Sequence, residues 1–319
     1  MVLTYWPSRA LHVAAGWVTW VSFLSLFTVP CGAVEVTFQP VAENVYAHVG
    51  DTGGRSYENE GLNANIGLVV TPQGAVLIDS GATFQSARQI HEAVSKVTPL
   101  PVKWIINTGG QDHRWLGNGY FAAQGIEVIA HADAKADMLA RGGDHLAGLK
   151  ATLKERAEGT AATLPSRWIT KDDEHITLGG VTFELRHRGG GHTPGDMMVW
   201  LPERRILFAG DIVYVDRLLG VIPVSNTKAW LAAFEVIEGL LPTRLVPGHG
   251  RVTDLTTAQA HTRDYLRALR SHMKKAVDDG TEVGIAIKTF NAQPWRHLHN
   301  AAELLPGNAS RTYLELERE

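Results

Sequence analysis

Cysteine is almost missing from this chain: Cys31 is the only one in 319 residues. A single thiol closes no disulfide within the chain, and this one lies in a leading segment expected to be removed. A cysteine nucleophile and a cysteine-based zinc site are therefore excluded, and the fold must rest on its core, helped at most by a metal. Basic runs are missing too. Nothing exceeds isolated pairs such as Arg204-Arg205 and Lys274-Lys275, and the formal net charge is -3, so no nucleic-acid partner is expected. There is no haem or dinucleotide motif, no long low-complexity linker and no short repeat. What is present is an ordinary globular balance, 45% hydrophobic and 20% charged, ample for a sizeable core. Fourteen histidines are somewhat many and direct attention to metal chemistry.

The N-terminus reads as an export signal. Arg9 and His12 precede an apolar run from Val13 to Val29, Pro30 ends it, and Cys31-Gly32-Ala33 offers small residues at the cleavage positions. The cut is expected after Ala33. That leaves 34–319 as a single domain, periplasmic or secreted, with no stable membrane insertion. The alternative is an uncleaved anchor, since the run sits near the lower limit of about 17 residues for a membrane span. A lipoprotein reading of Cys31 is weaker because Pro30 directly precedes it.

Strand and helix signals alternate through the rest, which predicts α/β layers. Apolar runs at Ile66 to Val70, Ala75 to Ile78, Trp104 to Ile106, Glu127 to Ala130, Val181 to Leu185, Met198 to Leu201 and Ile206 to Ala209 read as strands. Phe84 to Val97, Arg114 to Gln124, Ala132 to about Arg156, Trp230 to Leu240 and Thr257 to Val277 read as helices, and Leu164 to Asp173 as a loop. Residues 251–319 read as a C-terminal set of helices.

Four of the apolar strands end in glycine-rich turns that carry Asp or His: Gln111-Asp112-His113, Gly191-His192-Thr193-Pro194-Gly195-Asp196, Gly210-Asp211 and Pro247-Gly248-His249-Gly250. Carboxylate oxygen with imidazole nitrogen suits zinc, iron or manganese. Each piece alone is a common turn or, for Asp112, a helix cap. All four in this order are far more specific.

The order resembles the metallo-β-lactamase superfamily: GGGHTPGD, FAGD, VPGHG and the LIDSG strand end all match, across most of the chain after Ala33. The resemblance is greatest to the exported branch associated with quinoprotein and sulfur-oxidation systems, and the closing Asn308 to Glu315 segment shares it. It implies a four-layer αββα sandwich, here with a C-terminal helical extension, and a metal site at one edge between two sheets. The first family motif, HxHxDH, is degenerate: Thr108 and Gly110 stand where its two leading histidines belong, leaving Asp112 and His113. By that resemblance the first metal position keeps only His192, whereas the second keeps Asp112, His113, Asp211 and His249.

The expectation is therefore one metal ion at the second position, zinc first, with iron or manganese as alternatives. Such an ion would activate water against an ester, thioester, amide or lactam bond of a small-molecule substrate. His192, freed from full ligation, and Asp112 are the expected catalytic groups, and Gln111 and Arg114 the expected substrate contacts. His187 is placed as a support to His192, and Asp79 and Asp196 as braces of their turns. The alternative is a catalytically degenerate binding or accessory protein of a periplasmic oxidation system. A redox role with iron is a third reading, without a supporting motif.

Overall fold

The computed structural model describes residues 1–5, 7 and 34–319. The expected signal, with its cut after Ala33, lies almost wholly outside the described residues. The chain divides into two units, 1–33 and 34–319, and the second holds every strand and helix named below. No helix among the described residues is long and apolar enough to cross a membrane.

Seven strands form the first sheet in sequence order: β1 (Gln39–Ala42), β2 (Val45–His48), β3 (Ile66–Thr71), β4 (Gly74–Ile78), β5 (Val102–Ile106), β6 (Glu127–His131) and β7 (Arg167–Ile169). The β1 to β4 pairings are antiparallel, and those from β4 to β7 are parallel. Five more strands form the second sheet in the order β12-β11-β10-β9-β8: β8 (Asp173–Leu178), β9 (Val181–His187), β10 (Met197–Leu201), β11 (Ile206–Tyr214) and β12 (Arg244–His249). The helices are α1 (Phe84–Val97), α2 (Asp112–Trp115), α3 (Asn118–Ala122), α4 (Ala134–Leu153), α5 (Thr227–Leu240), α6 (Leu255–Ala258), α7 (Asp264–Asp278), α8 (Val283–Thr289) and α9 (Ala301–Leu316).

The central strands are apolar on both faces because both faces are covered. Val76, Ile78, Ile106 and Ile129 of the first sheet meet Phe183, Leu185, Val199 and Phe208 of the second in one core. Leu68, Leu77 and Ile105 point the other way, onto Ala87, Ile90 and Val94 of α1. The outer face of the second sheet is covered by α5, α7 and α9 through Trp230, Phe234, Leu266, Leu269 and Ala309. Helix, sheet, sheet and helix therefore stack in four layers, as expected. Helix α1 begins where expected because Thr83 caps it, with Ser86 closing a reciprocal box. Trp115, Trp200 and Trp230 are core residues.

Four expectations need correction. The helix read over 114–124 is two short pieces, α2 and α3, separated around Gly117, and α2 already starts at Asp112. The loop read over 164–173 holds β7, a three-residue edge strand too short to show periodicity. Strand β8 was not expected, because its outward residues Asp173, His175 and Thr177, with the half-buried Glu174, dilute the apolar signal. Strand β11 does not end at Ala209 but runs on through Gly210 and Asp211 to Tyr214. Its register with β12 shifts around Gly210, whose φ of +53° places it in the left-handed region. A side chain there would also meet Thr108 Oγ1 at 2.5 Å. Glycine thus permits a bulge that turns Asp211 toward the site.

Candidate metal centre

The expected site residues come from four places that the two sheets bring to one edge, and a fifth joins them. Asp112 and His113 open α2 directly after the turn that follows β5. His192 lies in the loop between β9 and β10, Asp211 at the β11 bulge, and His249 at the last position of β12. The fifth place, the segment 50–65, was not expected to contribute. Its Asn65 Nδ2 donates to the carbonyls of Pro247 and Gly250 at 2.9 and 2.7 Å, stitching the end of β12 in place.

His113, Asp211 and His249 form a tight, buried group whose ligating atoms all lie within 4.8 Å of one another. His113 Nε2 is 3.1 Å from Asp211 Oδ2, and His249 Nε2 is 3.3 Å from Asp211 Oδ1. The proton positions follow from the partners. His249 Nδ1 is 2.6 Å from the Asn63 carbonyl, which can only accept, so Nδ1 carries the proton. His192 Nδ1 is fixed likewise by the Gly220 carbonyl at 2.8 Å. His113 Nδ1 faces Asp112 Oδ1 at 3.3 Å. Each ring thus spends Nδ1 on an oxygen, and the Nε2 atoms of His113 and His249 are turned toward the Asp211 carboxylate. Metal-binding histidines are held by oxygen partners in this way.

Burial depresses the basicity of His249 well below the ordinary histidine value, and the Arg217 guanidinium adds to this. Burial also brings His192 down to about 4. For Asp211, burial works against the charged form, but Arg114 and His113 outweigh it and hold the carboxyl well below its usual range. A charged carboxylate beside two imidazole Nε2 atoms is a donor set for a divalent cation. The residues present therefore fit one metal ion.

Asp112, expected among the ligands, stands outside the close group. Its Oδ2 pairs with the Arg55 guanidinium, and its Oδ1 accepts the His113 backbone N–H at 2.8 Å. Burial opposes its charge, yet His113 and Arg55 leave its pKa below the normal carboxylate range. The arrangement makes Asp112 an orienting partner of His113.

Arg114 is a correction. Expected as a substrate contact, it is 1% exposed and is a brace. It pairs with Asp79 at 3.0 Å and with Asp211, and donates to the carbonyls of Asn65 at 3.2 Å and Gly248 at 2.9 Å. The residue points inward because α2 starts two residues earlier than the sequence suggested. Gln111 stays half-buried at the edge, accepting from Arg141 at 3.2 Å. Asp79 and Asp196 do brace their turns: Asp79 accepts from Thr108 N–H and Oγ1 at 2.7 and 2.8 Å, and Asp196 from Thr193 N–H at 2.8 Å. His187 supports the 189–196 loop through the Asp196 carbonyl at 2.8 Å.

A second group, His131, Asp133 and His187, has the right residue types for a metal. Its imidazoles are stacked, 3.7 Å apart and 18° from parallel. Lone pairs in two parallel ring planes do not converge on one ion, so we read the two histidines as a packing pair, with His187 held by Asp133 at 3.0 Å.

Comparison with known proteins agrees with this geometry. The signature described as the metallo-beta-lactamase superfamily matches residues 59–249, and the chain belongs to that family. It is 26% identical over 216 residues to a metallo-beta-lactamase of Chryseobacterium indologenes, covering 66% of this chain and 80% of that one. It is 27% identical over 216 residues to an acyl-coenzyme A thioesterase of Gallus gallus, covering 61% and 75%. Among solved structures, a metallo-beta-lactamase from Pontibacter korlensis aligns with a TM-score of 0.58 at 22% identity, over 73% of this chain and 99% of that one. A sec-alkylsulfatase from Pseudomonas sp. aligns with a TM-score of 0.67 at 18% identity, over 87% and 50%. The family is one of metal-dependent hydrolases.

Proposed function

We propose that the protein is a hydrolase built around a single metal ion, zinc in the first instance, held by His113, Asp211 and His249. The observation that carries this reading is the shared orientation of the two rings, Nδ1 bound to oxygen and Nε2 facing one carboxylate. Such an ion supplies Lewis-acid activation of water and of the scissile carbonyl. The chain's own residues do the rest. Asp112 and the Asn63 carbonyl hold the rings, and Arg114 keeps Asp211 charged. His192, its Nδ1 proton given to Gly220, offers a neutral Nε2 that completes the ligand set or accepts a hydrogen bond. Two imidazoles and a carboxylate suit zinc, with iron or manganese as the alternatives.

The substrate proposed is a small molecule with an ester, thioester, amide or lactam bond. The named activities of the lactamase and thioesterase relatives, both acyl-bond hydrolyses, support that range. The test is hydrolysis of a panel of such compounds by wild type and by Asp211→Ala. Turnover lost in the variant is expected. A folded, metal-loaded wild type that hydrolyses nothing would overturn the reading in favour of an accessory protein. We place the mature chain in the periplasm or outside the cell. The apolar run from Val13 to Val29 and the small residues Cys31-Gly32-Ala33 support removal of the leader after Ala33, and the mass of the exported protein checks it.

A further inference from the structure

The two histidines that the family motif would supply at 108 and 110 have not left an empty space. Thr108 turns its hydroxyl to Asp79. At Gly110, an added Cβ would lie 2.8 Å from Asp137 Oδ2, so the side-chain position is filled from α4. Asp137 belongs to a stripe, Asp137, Arg141 and His145, spaced by four and so on one helix face. Arg141 Nε donates to Asp137 Oδ1 at 2.6 Å, and its Nη1 donates to Gln111 Oε1 at 3.2 Å and to His145 Nε2 at 2.9 Å. A guanidinium only donates, so His145 Nε2 is the acceptor and Nδ1 carries the hydrogen. That Nδ1 is buried with no partner among the described residues. Arg55 is paired with Asp112, and the Arg55 Nε is also buried without a partner among the described residues.

These groups share one field with the metal cluster. The Arg141 charge acts on His192, and the charges of Arg55 and Arg141 both act on His145. Unlike Arg114, both arginines can be reached: the Arg55 side chain is 20% exposed and the Arg141 side chain 21%. Two partly exposed guanidinium groups, one on Gln111 and one on Asp112, thus stand at this turn, together with two buried N–H groups that lack an acceptor among the described residues. An oxyanion would satisfy such donors, and the planar guanidinium fork matches one.

We propose that Arg55, Arg141 and His145 form an oxyanion subsite beside the metal centre, where the family's first metal position would be, and that the substrate carries a carboxylate or sulfate there. The acidic substrate class rests on the hydrolase reading; the anion binding does not. Each guanidinium already shares its charge with a carboxylate, Arg55 with Asp112 and Arg141 with Asp137, so the anion is held by the remaining N–H donors, and the scissile bond lies on the side facing His113 and Asp211.

The test is calorimetric titration of the metal-free protein with malonate and, separately, with inorganic sulfate. Wild type is expected to bind at least one of them, and Arg55→Met and Arg141→Met to bind it at least tenfold more weakly. Which of the two binds more tightly identifies the anion chemistry. Because Arg141→Met strands the buried Asp137 carboxylate, the double variant Asp137→Asn/Arg141→Met is measured beside it, with circular dichroism as the fold control. No binding to wild type, or equal binding by the folded variants, would overturn the subsite. Metal content and ester hydrolysis on the same samples separate the two readings. Anion binding without hydrolysis keeps the subsite and removes the hydrolase. Hydrolysis with KM indifferent to a substrate carboxylate or sulfate and to Arg141→Met keeps the hydrolase and removes the subsite.

Discussion

Replacing Arg114 by methionine keeps much of its length and removes a charge that two buried carboxylates share. Asp79 and Asp211 are each 2% exposed, and Arg114 is the guanidinium that touches both. Burial pushes the Asp79 pKa up, with Arg114 the main opposing influence and Asp211 an adverse one. Without Arg114 the two acids repel each other, and one must take a proton. Two carbonyls, of Asn65 and Gly248, lose their donor as well. Removing one member of a buried ion pair costs about 3–5 kcal/mol, and we expect roughly 4 kcal/mol here. At about 2 °C per kcal/mol for a domain of this size, the melting temperature falls by roughly 8 °C. The assay is urea unfolding of the metal-free protein at pH 7.5, followed by circular dichroism. Asp79→Asn on the Arg114→Met background should restore part of the loss, as contacting groups couple by roughly 0.5–3 kcal/mol. A loss under about 1 kcal/mol, the range of an exposed charge, would refute the brace and return Arg114 to the substrate.

Asp112→Asn keeps the shape of the side chain but weakens its hold on His113 Nδ1. Metal affinity, measured by competition with a chromogenic chelator, should fall about 10–100-fold while the saturated metal count stays unchanged; loss of the ion at saturation would make Asp112 a ligand instead. At the stacked pair, burial and then the neighbouring His187 ring lower the His131 pKa from its ordinary value. The unfolded chain therefore takes this proton first. The residue costs nothing above pH 6.5, and stability falls as the pH drops below it, by up to about 1.4 kcal/mol per unit. His131→Asn should flatten that acid limb in urea midpoints measured at pH 7.5, 6.5 and 5.5, whereas parallel profiles would contradict the assignment.

Much of the fold was legible because strand ends and helix caps are local. Thr83 and Ser86 mark the start of α1, and the apolar runs of β3, β4 and β10 declare themselves. The polar edge strand β8 did not, since half of its residues face solvent. In the site, the motifs picked out turns that the fold brings together, but not the direction of each side chain. Arg114 turns inward only because α2 begins at Asp112, and Asp211 reaches the centre only through the bulge at Gly210. Arg55 and Asn65 lay in a polar loop with no period to single them out. The stripe Asp137, Arg141 and His145 was readable, four residues apart on a helix, but nothing in the sequence says that this face meets the Gln111-Asp112 turn.

The central claim is one metal ion on His113, Asp211 and His249. Elemental analysis of the mature protein, purified without chelator or affinity-tag metal, tests it most directly, alongside Asp211→Ala, His249→Ala and Asp112→Asn. The account predicts one zinc, iron or manganese ion per chain in wild type, retained by Asp112→Asn at saturation and lost from the other two variants. Two ions per chain, or none in a well-folded wild type, would contradict it.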